Sequence, residues 1–510
     1  MFGLTLLRTR LRRLTLYGGD ITMIETRHHN NKEFHRRNLM QRYFTALVSA
    51  AVSPIMEFGF AFARTIILSR LLTPDHLGAA IVFSTIIGSS ELLTDIGLGH
   101  FVIVSNDEDA AQSVAVAQQI TVLRSVILAV TIVLFANVLA TLFDASGEVD
   151  YIRWLGLVLL VRGFRNWRVI QIQKKYQYGP QAIANAVSLI GSVVAAFIFA
   201  IWLRDASAML ISLLTEAVLY TFVSRIIIKN EHISIIDSRV RKSALIFGLP
   251  LLANGVGTIL CAQLDRVFVS HIFGLAELSL YAITVNLVLT PTSVLTAIIN
   301  KLAIPYLVEA RLVLAHARQE AQMISWLILC CGAVYAVAVG LMVDWLEPII
   351  YGPHYTVPTS FHVLLTTAAY LRVFRIAPNV ILLAHSKTRR ITSGTMLAGS
   401  GTIIGCLLAV NFNRIELVLL GLVLSEIVGV VSLFFLSRQY VPLAALTGHT
   451  ILLGIPVGLA SFAPSLPMTS TLEACVIVIV GATCIVCVDG YIAYRTFLNE
   501  RGFDWKWGKR

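Results

Sequence analysis

YLRVFRIAPN, residues 370–379, sets Arg372 and Arg375 three residues apart in an otherwise apolar run. That spacing puts both side chains on one helix face. Two guanidiniums so placed repel each other unless they share an anion, and each presents a planar fork suited to two phosphate oxygens. Pro378 follows one turn later, where a bend can open a cavity, so a diphosphate group is an apt ligand. Arg64, Arg124, Arg266 and Lys301 also stand inside apolar runs, as do the acids Glu57, Glu91, Glu216, Asp265, Glu426 and Asp489, with Asp95 near the end of one. A charge facing lipid at mid-depth costs about 2.5–3.5 kcal/mol on insertion scales, so each should face protein or a water-filled cavity. The residues therefore serve either as ion pairs within a bundle or as the wall of a polar pathway.

The elements that must position them are membrane helices. Of 510 residues 57% are hydrophobic and 14% charged, with mean hydropathy +0.78, against about a quarter charged in soluble domains. Apolar runs of the roughly 20 residues needed to cross a bilayer recur throughout. They predict about fourteen spans: 44–70, 77–97, 114–142, 150–172, 181–203, 206–228, 244–271, 277–306, 321–347, 356–384, 391–411, 415–437, 447–465 and 472–497. No ten-residue polar/apolar alternation of barrel strands is present, so the fold class is an all-α polytopic membrane protein. All seven cysteines fall inside these runs, including the Cys484–Cys487 CxxC, where packing is the ordinary role. No metal site or cofactor is expected from them.

Lys and Arg are retained on the cytoplasmic side of membranes. They crowd the tail from Arg8 to Arg42, the connections holding Arg165, Arg168, Lys174 and Lys175, then Lys229, Arg239, Arg241 and Lys242, then Lys387, Arg389 and Arg390, and the C-terminus from Arg501 to Arg510. The opposite connections hold only Arg70, Arg153, Arg204 and Arg414. Both termini are thus expected in the cytoplasm. The net charge of +11 is accounted for by topology and anionic inner-leaflet lipid, without nucleic acid. Residues 1–42 read as a basic cytoplasmic tail, since arginines interrupt LTLLRTRLRRLTL where a cleaved signal peptide would be apolar.

Internal similarity divides the remainder. ILSRLLTPDHLG (67–78) aligns with FVSHIFGLAELS (268–279) at an offset of 201, and TEAVLYTFVSR (215–225) with SEIVGVVSLFFLSR (425–438) at 210, setting Glu216 beside Glu426. Two six-span lobes, 43–228 and 244–437, are expected as parallel repeats, joined by the basic linker 229–243, with spans 13 and 14 in 438–510. No connection is long enough for a folded catalytic domain, and no Walker A, GxGxxG after a strand, or HExxH occurs. No catalytic residue is expected. At 1.5 Å per residue, Arg64 lies about 9 Å inside the end marked by Arg70, and Glu57 about 10 Å deeper. Glu91 and Arg124 reach mid-depth from the other side, so Arg124 can pair with Glu91 or Glu57. Arg64 aligns with Asp265, next to Arg266. Ionisable residues at matching depth in two lobes read as alternating access to a central site for a charged or very polar solute. Tyr281, Asn286, Asn300, Asn254 and Asn379 could add sugar-type hydrogen bonds or serve as interhelical glue.

RTIILSRLLTPDHLGAAIVFSTI with LLTDIGLGHFVI, and LPLLANGVGTILCAQLDRVFVSHIFGLAELSLYAI, resemble the openings of the two halves of the polysaccharide transporter family, the O-antigen and exopolysaccharide flippases of the multidrug/oligosaccharidyl-lipid/polysaccharide exporter superfamily. The resemblance covers about residues 40–437. It implies a V-shaped, two-lobed carrier that is not an enzyme. Its cargo would be an undecaprenyl-diphosphate-linked oligosaccharide moved across the bacterial inner membrane, and its partners a polysaccharide polymerase and a chain-length regulator. Arg64, Arg70, Asp95, Asp265 and Arg266 match positions of the family pattern, whereas Arg372 and Arg375 rest on spacing alone. Expected headgroup contacts are Arg64, Arg266, Arg372, Arg375 and Lys301. The pathway or ion-coupling residues are Glu57, Glu91, Asp95, Arg124 and Asp265. Acids nearly match bases in number, so a positive cavity requires some acids to be paired or elsewhere. The alternatives are a lipid II flippase, whose two extra C-terminal spans bind the isoprenoid tail, an ion-coupled drug exporter, whose cationic cargo the arginines would repel, and a membrane-embedded polysaccharide polymerase. For the last, the longest outward segment, WLEPIIYGPHYTVP (345–358), offers Glu347 and His354 but reads as a short connection.

Overall fold

The computed structural model describes residues 54–104, 110–173, 179–228, 238–312 and 317–440. The basic tail, most of the inter-lobe linker and spans 13 and 14 lie outside them. The described chain is helical: α1 (54–71), α2 (Pro74–Leu93), α3 (Leu98–Val104), α4 (Ala110–Leu142), α5 (Val149–Gly163), α6 (Arg168–Gln173), α7 (Gly179–Leu203), α8 (Ser207–Ile227), α9 (Ser238–Ala262), α10 (Leu264–Leu312), α11 (Ala317–Tyr351), α12 (Thr359–Ala384), α13 (Thr388–Phe412) and α14 (Glu416–Ser437).

The described parts of the first twelve expected spans fall mainly on helix, but among the described residues nine helices are both long and apolar enough to cross a membrane, not fourteen. One shortfall has a local cause. The run 150–172 is interrupted at residues 164–167, where Asn166 Oδ1 accepts from the Arg168 amide at 3.1 Å while its Nδ2 donates to the carbonyls of Ser224 and Ile228. An Asx turn of this kind competes with helix. It leaves α5 with 15 residues. In the second half, α9 and the segment 264–273 together make the span expected over 244–271. The chain then reverses at Gly274, with φ 88° and ψ 176°, a conformation that only glycine adopts readily. Residues 345–351 of the expected connection continue α11, and only 352–358 link it to α12.

Lipid-facing and buried helices separate by exposure. On α4, Leu123, Ile127, Val130, Leu134, Phe135 and Val138 are exposed, as are Ile183, Val187, Ile190, Val194 and Trp202 on α7. Such faces suit hydrocarbon as solvent. By contrast α2 is buried from Leu77 to Phe83 without interruption, because α10 and α9 pack against it. A Cβ on Gly78 would come 2.0 Å from the Leu275 carbonyl oxygen of α10, and one on Gly255 of α9 would come 2.3 Å from that of Leu92. The second half thus clasps α2 backbone to backbone near both ends, the small-residue packing expected where apolar burial drives no association in lipid.

Candidate functional site

In the second half, α14 buries Glu426 to 2% exposure against α12. Arg372 Nε donates to its Oε1 at 2.8 Å, and Arg375 Nη1 lies 3.2 Å from Oε2. The shared face of α12 is real, and among the described residues the anion that its two guanidiniums share is a carboxylate of the chain itself. Arg375 reaches it by lying across Gly429, where a Cβ would come 2.8 Å from its Nη1.

The first half has a counterpart. Glu216 on α8 takes Arg64 Nη1 at 3.0 Å and Arg162 Nη2 at 3.2 Å, and Arg162 Nη1 bridges on to Glu91 at 2.9 Å. Arg64 Nη1 also donates to Ser192 Oγ at 3.1 Å. Arg124 Nη1 donates to the Thr94 carbonyl at 3.1 Å, while the hydrogen-bonded partner of Glu91 is Arg162. Asn185 Nδ2 donates to Glu57 at 2.6 Å, and Asp95 Oδ1 accepts from the Gly97 amide at 2.9 Å, ending α2. Lys301 of α10 lies close enough to Glu57 to sense its charge across the two halves.

A cavity of about 500 Å³ opens between α2, α4, α5 and α8, walled by Glu91, Asp95, Arg124, Arg162, Arg165 and Tyr220. A second, of about 390 Å³, is walled by Glu57, Arg64, Asn185 and Glu216 and shares Arg162, Arg165 and Tyr220 with the first. Four arginines and four carboxylates surround this joint space, so several acids are indeed paired. Charges here are screened far less than in water.

Asp265 and Tyr281 would be about 24 Å apart along a straight helix at 1.5 Å per residue. The reversal at Gly274 brings the Tyr281 hydroxyl to 2.6 Å from Asp265 Oδ2, and Arg266 Nη2 to 3.1 Å from Asn286 Oδ1. Tyr281 and Asn286 therefore tie α10 to itself. Asn300 and Asn379 each bury a side-chain oxygen with no hydrogen-bond partner among the described residues. Glu347 is 1% exposed, accepts from Thr284 Oγ1 and pairs with His362 Nε2 at 3.1 Å, and His362 Nδ1 pairs with Asp344.

Arg162, Arg165 and His362 were not among the residues expected to matter. The basic residues after α5 read by charge as a connection, yet the signal was present. RGFR at 162–165 and RVFR at 372–375 stand 210 positions apart, the offset that also relates Glu216 to Glu426.

Residues 67–313 match the family model described as a polysaccharide biosynthesis protein. Over 64 residues the chain is 42% identical to Lsg locus protein 1 of Haemophilus influenzae, a match that spans 12% of this chain and 16% of that protein. Among solved structures, the fold is similar to lipid II flippase MurJ in an inward closed conformation, with a TM-score of 0.64 and 11% identity over 89% of this chain and 100% of that one. It is also similar to an inward-facing multidrug resistance MATE family transporter of the MOP superfamily, with a TM-score of 0.54 and 17% identity over 79% and 99% of the two chains. The likeness to the solved structures is one of fold. In fold the chain resembles a lipid II flippase and a multidrug transporter.

Proposed function

We propose that this chain is a flippase that moves a diphosphate-linked lipid glycan across the bacterial inner membrane by alternating access, with no covalent chemistry. The observation that carries the reading is a cavity among membrane helices walled by four arginines, in a fold similar to that of a lipid II flippase. Arginine forks suit phosphate oxygens. The carboxylates neutralise and orient the arginines while the cavity is empty. The two halves would rock about α2, which both α9 and α10 clasp.

Two glycans fit. The family description favours a repeat unit for a surface or exopolysaccharide such as O-antigen, with a polymerase and a chain-length regulator as partners. The fold likeness favours lipid II, since MurJ aligns over its whole length and with a higher TM-score than the drug transporter. Arg372 and Arg375 belong to this proposal as contacts made when their ion pairs with Glu426 exchange during transport, and Arg266 and Lys301 as further headgroup contacts. Glu57, Glu91, Asp95 and Asp265 belong to it as pathway or coupling groups. Deleting the gene and measuring lipid-diphosphate intermediates by mass spectrometry tests the function. Accumulation of a lipid-linked repeat unit supports the first glycan and accumulation of lipid II the second. A cell that accumulates neither, with altered drug sensitivity, would sink both.

A further inference from the structure

Asp344, Glu347 and His362 wall neither cavity, yet their cluster is built around a proton. Asp344 and Glu347 stand three residues apart on α11, hence on one face. The ring of His362, buried in the first turn of α12, pairs through Nε2 with Glu347 and through Nδ1 with Asp344. A neutral imidazole donates from one nitrogen, an imidazolium from both. Two carboxylate contacts therefore need one proton more than a neutral ring and two carboxylates carry together. Thr284 Oγ1 of α10 donates to the other oxygen of Glu347, so three helices meet here. Of the other groups at this end, Tyr351 is near enough to Glu347 to sense its charge, and Tyr355 comes from the link. Also packed against α12, α14 brings Val418, Leu419 and Leu422 to the same core and has Glu416 in its first turn.

The cluster grips α11 beside a hinge. Pro348 follows Glu347 inside the helix and has no N–H for the Asp344 carbonyl four residues back, and helices bend at such points. Beyond the proline, Ile349 and Ile350 offer their carbonyls to Arg70, and Tyr351 packs on Phe62, both from α1 of the other half. The grip lies on one side of the hinge and the contact between the halves on the other.

We propose that Asp344, His362 and Glu347 form a proton-held latch that closes this end of the bundle, the end expected to face away from the cytoplasm. With the extra proton bound, the imidazolium holds both carboxylates and keeps the end of α11 against α1. The proton leaves from Nδ1 to water by way of Asp344, whose side chain is 23% exposed against 1% for Glu347. A lone pair then faces Asp344, and two acids on one helix face repel with no cation between them. Bending at Pro348 parts them and withdraws residues 349–351 from α1. Only an N–H bond is broken, and water takes the proton. The latch rests on the carrier reading above in one respect, that this end opens, and it adds a signal that sets when.

The experiment is pulsed electron–electron distance measurement on the full chain in lipid nanodiscs without cargo, its seven cysteines replaced by alanine and nitroxides attached through Ser146→Cys and Thr356→Cys, both exposed at this end. The pH is raised from about 5 to about 10, the range in which a carboxylate-paired imidazolium can lose its proton. A longer distance should grow in as pH rises. Asp344→Asn should move the midpoint down by about 1–3 units, because removing an opposite charge weakens the hold on the proton. A merely structural role for Asp344 would not move a midpoint. His362→Gln should give one distribution at every pH, and His354→Gln, on the exposed link, should leave the curve in place. A wild-type distribution that is constant, or that lengthens on acidification, overturns the proposal. So does an unchanged midpoint in Asp344→Asn, which keeps the test open should His362→Gln fail to fold. An end that opens with pH in a protein whose deletion accumulates no lipid intermediate would sustain the latch and sink the transport reading. Accumulation with an end insensitive to pH would do the reverse.

Discussion

Arg70 Nε donates to the Ile350 carbonyl at 2.9 Å and its Nη2 to that of Ile349, so an arginine of α1 closes the C-terminal carbonyls of α11 in the other half. Those carbonyls lack partners within their own helix, and a cation there also meets the negative end of the helix dipole. Phe62 and Tyr351, with ring centroids 6.0 Å apart, close the same seam.

Arg70→Ala should therefore loosen this end. A cysteine placed at Phe62 should react with a maleimide several-fold faster in the Arg70→Ala background, while thermal stability falls by about 1 kcal/mol. Unchanged labelling would show that the apolar contacts alone hold the seam.

At Gly78 the halves meet without side chains between them, so Gly78→Leu must push α2 and α10 apart. Fixing the halves in one arrangement is incompatible with alternating access, and separating them permanently is equally so. The substitution should abolish transport while the protein still inserts, as judged by membrane fractionation. A functional Gly78→Leu protein would remove α2 from any role as a pivot.

His362 sits 4% exposed between Asp344 and Glu347. His362→Leu leaves Glu347, at 1% exposure, with only the Thr284 hydroxyl. Removing one partner of a buried pair costs about 3–5 kcal/mol, so a large fall in melting temperature in detergent is expected. The double variant His362→Leu with Glu347→Gln should recover much of that loss, and failure to recover would mean that Asp344 is the partner that matters.

How far these features could be read in advance depended on whether the interaction was local. Helix positions follow from apolar length, which composition carries, so the described parts of the first twelve runs fell mainly on helix. The break at Asn166 escaped because its Asx turn onto the Arg168 amide is local but the contacts that hold it, to Ser224 and Ile228, are more than fifty residues away. The reversal at Gly274 was placed by the run lengths around it, but the meeting of Asp265 with Tyr281 needed the fold. Charge read Arg165 as part of a basic connection, but could not show that the turn at Asn166 sets that connection against the cavity. Arg372 and Arg375 were placed on one face by spacing, and the anion they share, Glu426, was already present in the repeat alignment beside Glu216. What spacing could not supply was the difference between the halves, because Arg64 comes from a helix outside both R-x-F-R motifs.

That difference makes Glu426 the sharper test of the paired arrangement. Its two arginines lie on one turn of α12, so neutralising it leaves two partly buried guanidiniums side by side with no counterion from this pair of helices. The cost of an uncompensated buried charge is about 3–5 kcal/mol, and here two charges are left. Glu426→Gln should accordingly unfold at a much lower temperature than wild type. Replacing all three groups, as in Arg372→Leu, Arg375→Leu and Glu426→Leu together, should restore stability, because well-packed apolar groups can equal a buried ion pair. Transport then separates the two roles left to the pair. If Arg372 and Arg375 leave Glu426 to contact the cargo during the cycle, the stable triple variant inserts and melts normally but accumulates lipid-linked intermediates. If they only hold α12 to α14, it transports like wild type.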